Sequence, residues 1–261
     1  MRKTKLAGEW VKYVFRSRNA HGLHSPFVFD FYNICLKGKL PAAPVSEYKK
    51  IKHELLNCND PVEHLDLGAG SRVLKSENPR VKDIARTSLK NIKEAGMLAR
   101  LAAFLNAKTI VELGTSFGTT SLLTARENPD AEIFTIEGSP GIASKAKEIF
   151  NKAGVNNINL ITGNFDDNFE KILKQIKQAD LIIFDGNHRY EPTMRYFETA
   201  LKYSHGKTAL VFDDIRWSEE MLKAWKEIIN HPQTTLTIDL FSMGIAFSDK
   251  GFSKQNLMIR W

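Results

Sequence analysis

Apolar runs alternate with amphipathic stretches from Lys108 towards the C-terminus. Five short runs rich in Val, Ile, Leu and Phe have the length and composition of buried strands: TIVELG, EIFTIEG, INLITG, LIIFDG and TALVFDD. Each is followed by a stretch of helical periodicity, over residues 119–127, 140–153, 166–177, 191–203 and 219–230. Strands that alternate with helices predict a parallel sheet with helices on both faces.

The C-terminal pattern differs from this alternation. The segments TTLTIDLF and MGIAFSD are nearly contiguous, too close for the crossover that a parallel pair needs. They therefore predict an antiparallel hairpin. The predicted fold class is α/β, with a sheet of seven strands, five of them parallel and two in the hairpin.

Before Lys108 the pattern is mostly helical. Ser25-Pro26 predicts the start of a helix that ends before Gly38, residues 39–44 predict a loop, and residues 88–106 predict one long amphipathic helix. The short run EHLDLG is the exception to this helical pattern. We predict a mostly helical N-terminal extension over residues 1–87 and the α/β domain over residues 88–261.

The composition is that of a globular protein and gives no sign of a membrane or secreted protein. The chain has 261 residues, 43% of them hydrophobic, which is ordinary for a globular protein. It shows neither a signal-peptide pattern nor an apolar run of membrane-spanning length, so we expect no membrane insertion. Two cysteines without CxxC spacing indicate a reducing cytoplasm.

The net charge of +7 is concentrated at the N-terminal end. The first 100 residues carry 19 Lys or Arg against 10 Asp or Glu. Such a bias is compatible with a nucleic-acid partner, which stays open as an alternative. The basic residues are scattered and not interleaved with aromatic ones, which favours a solvated helical face.

Two glycine turns, HLDLGAGSRV and IVELGTSFGTTSLL, resemble the start of a nucleotide-binding loop. Only the second is followed by a helix and then by a strand with an acidic residue, Glu137, at its end. The segment from Gly114 to Thr120 is therefore the predicted cofactor loop. The segment from Gly68 to Ser71 is predicted as a tight turn, and a lid or substrate wall including Arg72 remains its alternative role.

The glycine spacing also bears on the identity of the cofactor. Gly114 and Gly118 give G-x-x-x-G in place of the dinucleotide pattern G-x-G-x-x-G, and no Walker lysine follows, so a pyrophosphate is disfavoured. The segment ELGTSFGTT resembles the first motif of the class I S-adenosylmethionine-dependent methyltransferases, and in particular the catechol O-methyltransferase-like O-methyltransferases. From about Ser88 to Phe247 the order of elements is similar to that family, which implies a Rossmann-like methyltransferase sheet.

The resemblance also implies which residues meet S-adenosylmethionine. Glu112, Gly114, Thr115 and Thr120 would surround its methionine part. Glu137 would bind the ribose unless it only caps a helix. Asn164 and Phe165 would lie at the adenine. The implied cofactor-binding residues are Glu112, Gly114, Thr115, Gly118, Thr120, Glu137, Asn164, Phe165 and Asp185.

Aspartates follow two of the predicted strands, in LIIFDGNHRY and LVFDDIRW. By resemblance Asp185, Asp213 and Asp214 would hold Mg²⁺ or Mn²⁺, for which oxygen ligands are suitable. The chain departs from the family pattern at two places. The family has Asp-Asn where this chain has Asp213-Asp214, and it has a lysine where this chain has His188. Helix capping is the alternative role for these aspartates. His188, beside Asp185, is the predicted catalytic base.

The predicted function is S-adenosylmethionine-dependent O-methylation of a small-molecule hydroxyl, assisted by a divalent metal. The alternatives are an RNA methyltransferase or nucleic-acid binder and a non-catalytic cofactor-binding module. The segment HGLHSPF resembles the N-terminal region of uncharacterised bacterial methyltransferase-like proteins. Its His21 and His24 are predicted as turn residues, with a lid as the alternative, and a homodimer is a further prediction.

Overall fold

The computed structural model describes residues 3–19, 25–63 and 79–261. The predicted turn at Gly68, the short run EHLDLG after its first residue, and His21 with His24 lie outside these residues. None of the described helices is both long enough and apolar enough to cross a bilayer.

The described residues form one eight-stranded sheet in the order β3-β2-β1-β4-β5-β7-β6-β8. The first five strands of that order run parallel, β7 is antiparallel to both its neighbours, and β8 is parallel to β6. The strands are β1 (Thr109–Leu113), β2 (Glu132–Glu137), β3 (Ile158–Thr162), β4 (Ala179–Phe184), β5 (Ser204–Phe212), β6 (Leu236–Asp239), β7 (Gly244–Phe247) and β8 (Gln255–Met258).

The described helices precede the sheet or connect its strands. They are α1 (Lys3–Arg16), α2 (Pro26–Phe31), α3 (Ala42–Asn57), α4 (Val81–Ser88), α5 (Ile92–Phe104), α6 (Thr119–Glu127), α7 (Pro140–Ala153), α8 (Phe165–Ile176), α9 (Tyr190–Lys202) and α10 (Glu219–Asn230). Helix α2 continues as a π-helical turn over Tyr32–Leu36.

The α/β fold, the five parallel strands and the C-terminal hairpin are confirmed, and three details of the prediction are wrong. The sheet has an eighth strand, β8, which the polar segment around Gln255 concealed. The predicted loop at residues 39–44 is too long, because α3 already begins at Ala42. The predicted helix over residues 88–106 is interrupted, since α4 ends at Ser88 and α5 begins at Ile92.

Alternate residues of the strands face two different cores. Ile110 of β1 packs beneath the N-terminal helices and α5, whereas its neighbour Val111 packs against α8, α9 and α10. A third cluster joins α3 and α4 to α6 and α7. Burial on both faces is what the nearly continuous apolar runs predict for a parallel sheet.

The strand order reverses between β1 and β4. The chain runs from β1 outwards to β2 and β3 on one side, and returns to β4 and β5 on the other side. Connections therefore leave the carboxyl ends of β1 and β4 in opposite directions and open a crevice there, which is where open α/β sheets bind their ligands.

Candidate active site

The predicted cofactor loop leaves β1 at this crevice. Gly114 has φ +106°, and a Cβ added to it would lie 2.1 Å from the carbonyl oxygen of Asp185. Gly118 has φ +74° and precedes α6, and its Cβ would lie 2.3 Å from the Phe150 ring. Both positions therefore need glycine, to avoid contacts within the protein.

Glu112 and Thr115 lie in a buried polar layer beneath the loop. The Glu112 carboxylate accepts hydrogen bonds from Ser121 Oγ at 2.5 Å and from Thr135 Oγ1 at 2.6 Å. Thr115 Oγ1 lies 2.7 Å from Thr135 Oγ1, and Thr120 is also buried. Burial raises the pKa of Glu112, although the two hydroxyl donors oppose the shift. These side chains support the loop from below.

Glu137, at the end of β2, connects the loop to the next helix. Its carboxylate accepts from the amide of Ser116 at 2.8 Å and from the amide of Ser139 at 3.0 Å. Burial raises the pKa of Glu137, and the amide donors oppose this shift. The helix-capping role is therefore present, and each carboxylate oxygen keeps a further lone pair that can accept a hydrogen bond from a ribose.

The predicted adenine residues lie at the start of α8. Asn164 caps this helix, because its Oδ1 accepts from the Asp166 amide at 3.2 Å. Phe165 lies against the loop after β4, where a Cβ on Gly186 would be 2.7 Å from its ring.

The same loop contains a residue that the sequence analysis missed. Asn187 has φ +51°, and its buried Oδ1 finds no hydrogen-bond partner among the described residues. Asn tolerates the left-handed region, so the Gly-Asn pair signals a turn but not this burial. A buried acceptor without a partner is costly unless a ligand or water supplies a donor.

The aspartates after β4 and β5 meet a lysine that the sequence analysis did not assign to the site. Lys90 Nζ lies 2.9 Å from Asp185 Oδ2 and also contacts Asp213 Oδ2. The Lys90 side chain is only 7% exposed. It comes from the three-residue extended link between α4 and α5.

The charges in this cluster are strongly interdependent. Burial alone would lower the pKa of Lys90, but the two carboxylates outweigh it and hold the pKa well above its usual range. Burial raises the pKa of Asp185, and the neighbouring Asp213 raises it further. The pKa of Asp213 falls below its usual value, because Lys90 and a hydrogen bond from Asp185 outweigh burial.

The Asp214 side chain lies near His188, whereas the side chain of the preceding Asp213 contacts Lys90. Asp214 has φ +53°, and its Oδ2 lies 3.9 Å from His188 Nε2. Burial raises the pKa of Asp214, and the Asp213 charge adds to this effect. The structure thus brings His188 close to Asp214, whereas the sequence analysis paired it with Asp185.

The predicted metal site does not fit this arrangement. A protonated amine lies between Asp185 and Asp213, where a divalent cation would have to be bound, and Asp214 is turned towards His188. In the part of the chain that the structure describes, no three His, Cys, Asp or Glu side chains are grouped to hold a metal ion. As placed, these aspartates therefore do not fit Mg²⁺ or Mn²⁺, and their assignment to a metal stays a prediction.

S-adenosylmethionine, in contrast, fits the residues at the crevice. The left-handed loop at Gly114 turns at the carboxyl edge of β1 against the backbone of Asp185, and the loop after β4 contains the Asn187 amide oxygen, which has no partner among the described residues. Glu137 stands at the end of β2, at the place where a ribose hydroxyl is recognised in such folds.

Comparisons with known proteins identify the family and the fold that this chain resembles. Residues 111–215 match a family described as a methyltransferase domain. This match spans β1 to the end of β5 and includes the loop and all three aspartates. No curated protein matches the chain.

Several solved structures share the fold. The SAH-bound Podospora anserina methyltransferase PaMTH1 is 18% identical with a TM-score of 0.59, covering 87% of this chain and 97% of that one. A Bacillus cereus O-methyltransferase in complex with SAH is 18% identical with a TM-score of 0.55, covering 84% and 96%. TomG, the SAM-bound O-methyltransferase of tomaymycin synthesis from Streptomyces achromogenes, is 21% identical with a TM-score of 0.53, covering 62% and 82%.

Nothing in these matches favours the nucleic-acid alternative. The family match and the shared fold both agree with the resemblance and the enzyme class predicted from the sequence. Residues 111–215 therefore match a methyltransferase domain, and the chain has the fold of solved methyltransferases that hold S-adenosylmethionine or its demethylated product.

Proposed function

We propose that this protein transfers the methyl group of S-adenosylmethionine to a hydroxyl oxygen of a small molecule. The observation that carries the proposal is the left-handed loop at Gly114, which leaves β1 where the strand order reverses and lies against the backbone of Asp185 after β4. The O-methyltransferases among the structural neighbours support oxygen as the acceptor atom.

In this proposal the residues around the crevice bind the donor. The loop from Gly114 to Thr120 holds the methionine part above the polar layer of Glu112 and Thr115. Glu137 accepts from the ribose, and Asn164 and Phe165 with Asn187 enclose the adenine.

His188 is the proposed base. Bound S-adenosylmethionine supplies a methyl group on a positively charged sulfur. As the acceptor oxygen bonds to the methyl carbon, the carbon–sulfur bond breaks with its electrons left on sulfur, and the hydroxyl proton passes to His188. The Oδ2 atom of Asp214 lies 3.9 Å from Nε2 of this base.

Thermal denaturation tests the donor, and a methylation assay tests the acceptor. S-adenosylmethionine and its demethylated product should raise the melting temperature of the full chain, while NAD and ATP leave it unchanged, because only a ligand of the native state stabilises it. His188→Ala should keep this shift and lower turnover by about 100-fold on any hydroxylated compound found in a screen with radiolabelled donor. Stabilisation by NAD alone would contradict the donor assignment, and a fully active His188→Ala would contradict the base.

Four predictions of the sequence analysis remain proposals. They are the small-molecule class of the acceptor, the homodimer, the cytoplasmic location and the domain boundary at residue 88. Cys35 and Cys58 are both free thiols, which is compatible with a reducing compartment.

A further inference from the structure

Lys90 is held in the crevice by contacts on its own backbone. Its carbonyl oxygen accepts from Tyr48 Oη at 2.6 Å and from Lys52 Nζ at 2.5 Å, both on α3. Asn91 caps α5 through its Oδ1, which accepts from the Glu94 amide at 2.9 Å. The link between α4 and α5 is thus fixed at both ends, and Lys90 enters the site from a preformed support.

The Lys90 ammonium group contacts two carboxyl groups, which are both largely buried. Nζ lies 2.9 Å from Asp185 and also contacts Asp213, and these side chains are 19% and 14% exposed. Because these side chains are mostly withdrawn from water, the ammonium group depends on the two carboxyl groups for its stabilisation. A divalent cation bound by the same oxygens would lie within a few ångströms of the ammonium, and their repulsion would be screened only weakly.

We propose that Lys90 permanently fills the cation position at Asp185 and Asp213, so that this methyltransferase binds no divalent metal there and transfers its methyl group without one. The inference rests on the proposed function for its reference to methyl transfer. Lys90 is a positioning residue: it fixes the two carboxylates, and removal of the hydroxyl proton is left to His188.

A binding experiment with Mn²⁺ alone tests this inference and needs no methyl acceptor. Binding is measured as the loss of the electron paramagnetic resonance signal of the free ion. The wild-type full chain should leave the signal unchanged at micromolar to submillimolar Mn²⁺. Lys90→Met removes the ammonium and keeps the length of the side chain, so Asp185 and Asp213 should gain one Mn²⁺ site at least about 10-fold tighter than any in the wild type. Lys90→Met combined with Asp213→Asn should lose this gain.

Lys108→Met is the matched control. Lys108 also faces a carboxylate, with Nζ 3.8 Å from Asp130 Oδ2, but both side chains are exposed, so its loss should create no Mn²⁺ site. If Lys90→Met does not fold, Lys90→Gln replaces it, because an amide can still donate to a carboxylate without carrying charge.

Two outcomes would overturn the inference. One is stoichiometric Mn²⁺ binding by the wild type, abolished by Asp185→Asn; the other is a folded Lys90 variant that gains no site. Thermal stabilisation by S-adenosylmethionine, measured on the same samples, reports the proposed function separately. A wild type that binds both the donor and Mn²⁺ rejects only the metal-free site.

Discussion

At the scale of single residues, the buried polar layer beneath the Gly114 loop joins β1, β2 and α6. Glu112 is fully buried there and accepts from Ser121 and Thr135 through one carboxylate oxygen. Its pKa is raised because burial penalises the charged form. The stabilising contribution of such a group is complete below its unfolded pKa and is lost as pH rises through the folded pKa.

Glu112→Gln is predicted to become more stable than the wild type as pH rises. The amide oxygen still accepts from Ser121 and Thr135 but cannot be charged, so it avoids the cost that the wild type incurs near neutral pH. We expect similar melting temperatures near pH 4.5 and a variant about 2–4 °C higher near pH 7.5, for a free-energy difference of about 1 kcal/mol. Thermal unfolding across this pH range measures the difference.

Glu132→Gln is the control for this experiment. Glu132 begins β2 at an exposed position, so its substitution reports the effect of removing a surface carboxylate. A stability difference for Glu112→Gln that does not change with pH would contradict the buried-charge explanation.

At the scale of elements, the turn between β1 and α6 determines the crevice. Gly114 brings this turn against β4 so closely that the Asp185 carbonyl lies where a Cβ would be, and the Gly114 amide donates to Ile136 of β2 at 3.0 Å. The turn therefore fixes the carboxyl ends of three neighbouring strands relative to one another.

Gly114→Ala is predicted to destabilise the fold itself. Left-handed strain and the clash at 2.1 Å together should lower the free energy of unfolding by roughly 2–6 kcal/mol. Gly154→Ala is the matched control, because Gly154 also has positive φ, +65°, but nothing lies within 4 Å of an added Cβ. Its cost should be only about 1 kcal/mol in urea denaturation. Equal losses for the two variants would show that backbone strain, and not the contact with β4, explains the requirement for glycine.

At the scale of the whole molecule, the two described ends of the chain meet at one edge of the sheet. Tyr13 Oη of α1 donates to the Ile259 carbonyl at 2.5 Å, and the Arg18 amide donates to the Met258 carbonyl at 2.8 Å. Trp10 and Tyr13 also pack on Phe241, in the connection between β6 and β7. Helix α1 is thereby attached to the hairpin end of the sheet.

Tyr13→Phe is predicted to weaken this attachment. The ring still packs, but the buried Ile259 carbonyl loses its donor, which should cost about 1–3 kcal/mol, or several degrees in melting temperature. Tyr190→Phe removes a hydroxyl that donates to Glu227 at 2.6 Å at the surface, and should leave the melting temperature unchanged. A wild-type melting temperature for Tyr13→Phe would mean that the contact between the chain ends adds no stability.

The sequence by itself determined the alternation of the first five strands with helices, the C-terminal hairpin and the glycine turn after β1. All three depend on local physics: apolar runs of strand length, helical periodicity, and glycines at Gly114 and Gly118 where the backbone must be left-handed. The polar strand β8 escaped this reasoning, because its place at the sheet edge depends on pairing with β6 and not on its own pattern.

Only the tertiary structure decided the chemistry between the aspartates. Lys90 and Asp213 are 123 positions apart, and nothing local to either shows that they share one buried cluster. The Asn91 and Glu94 pair signals a helix start, so the break beside Lys90 could have been found. The direction of the Lys90 side chain could not have been found in this way, because the tertiary packing determines which partner a buried charge meets. A motif can therefore predict that Asp185 and Asp213 face a cation, while the fold determines which cation it is.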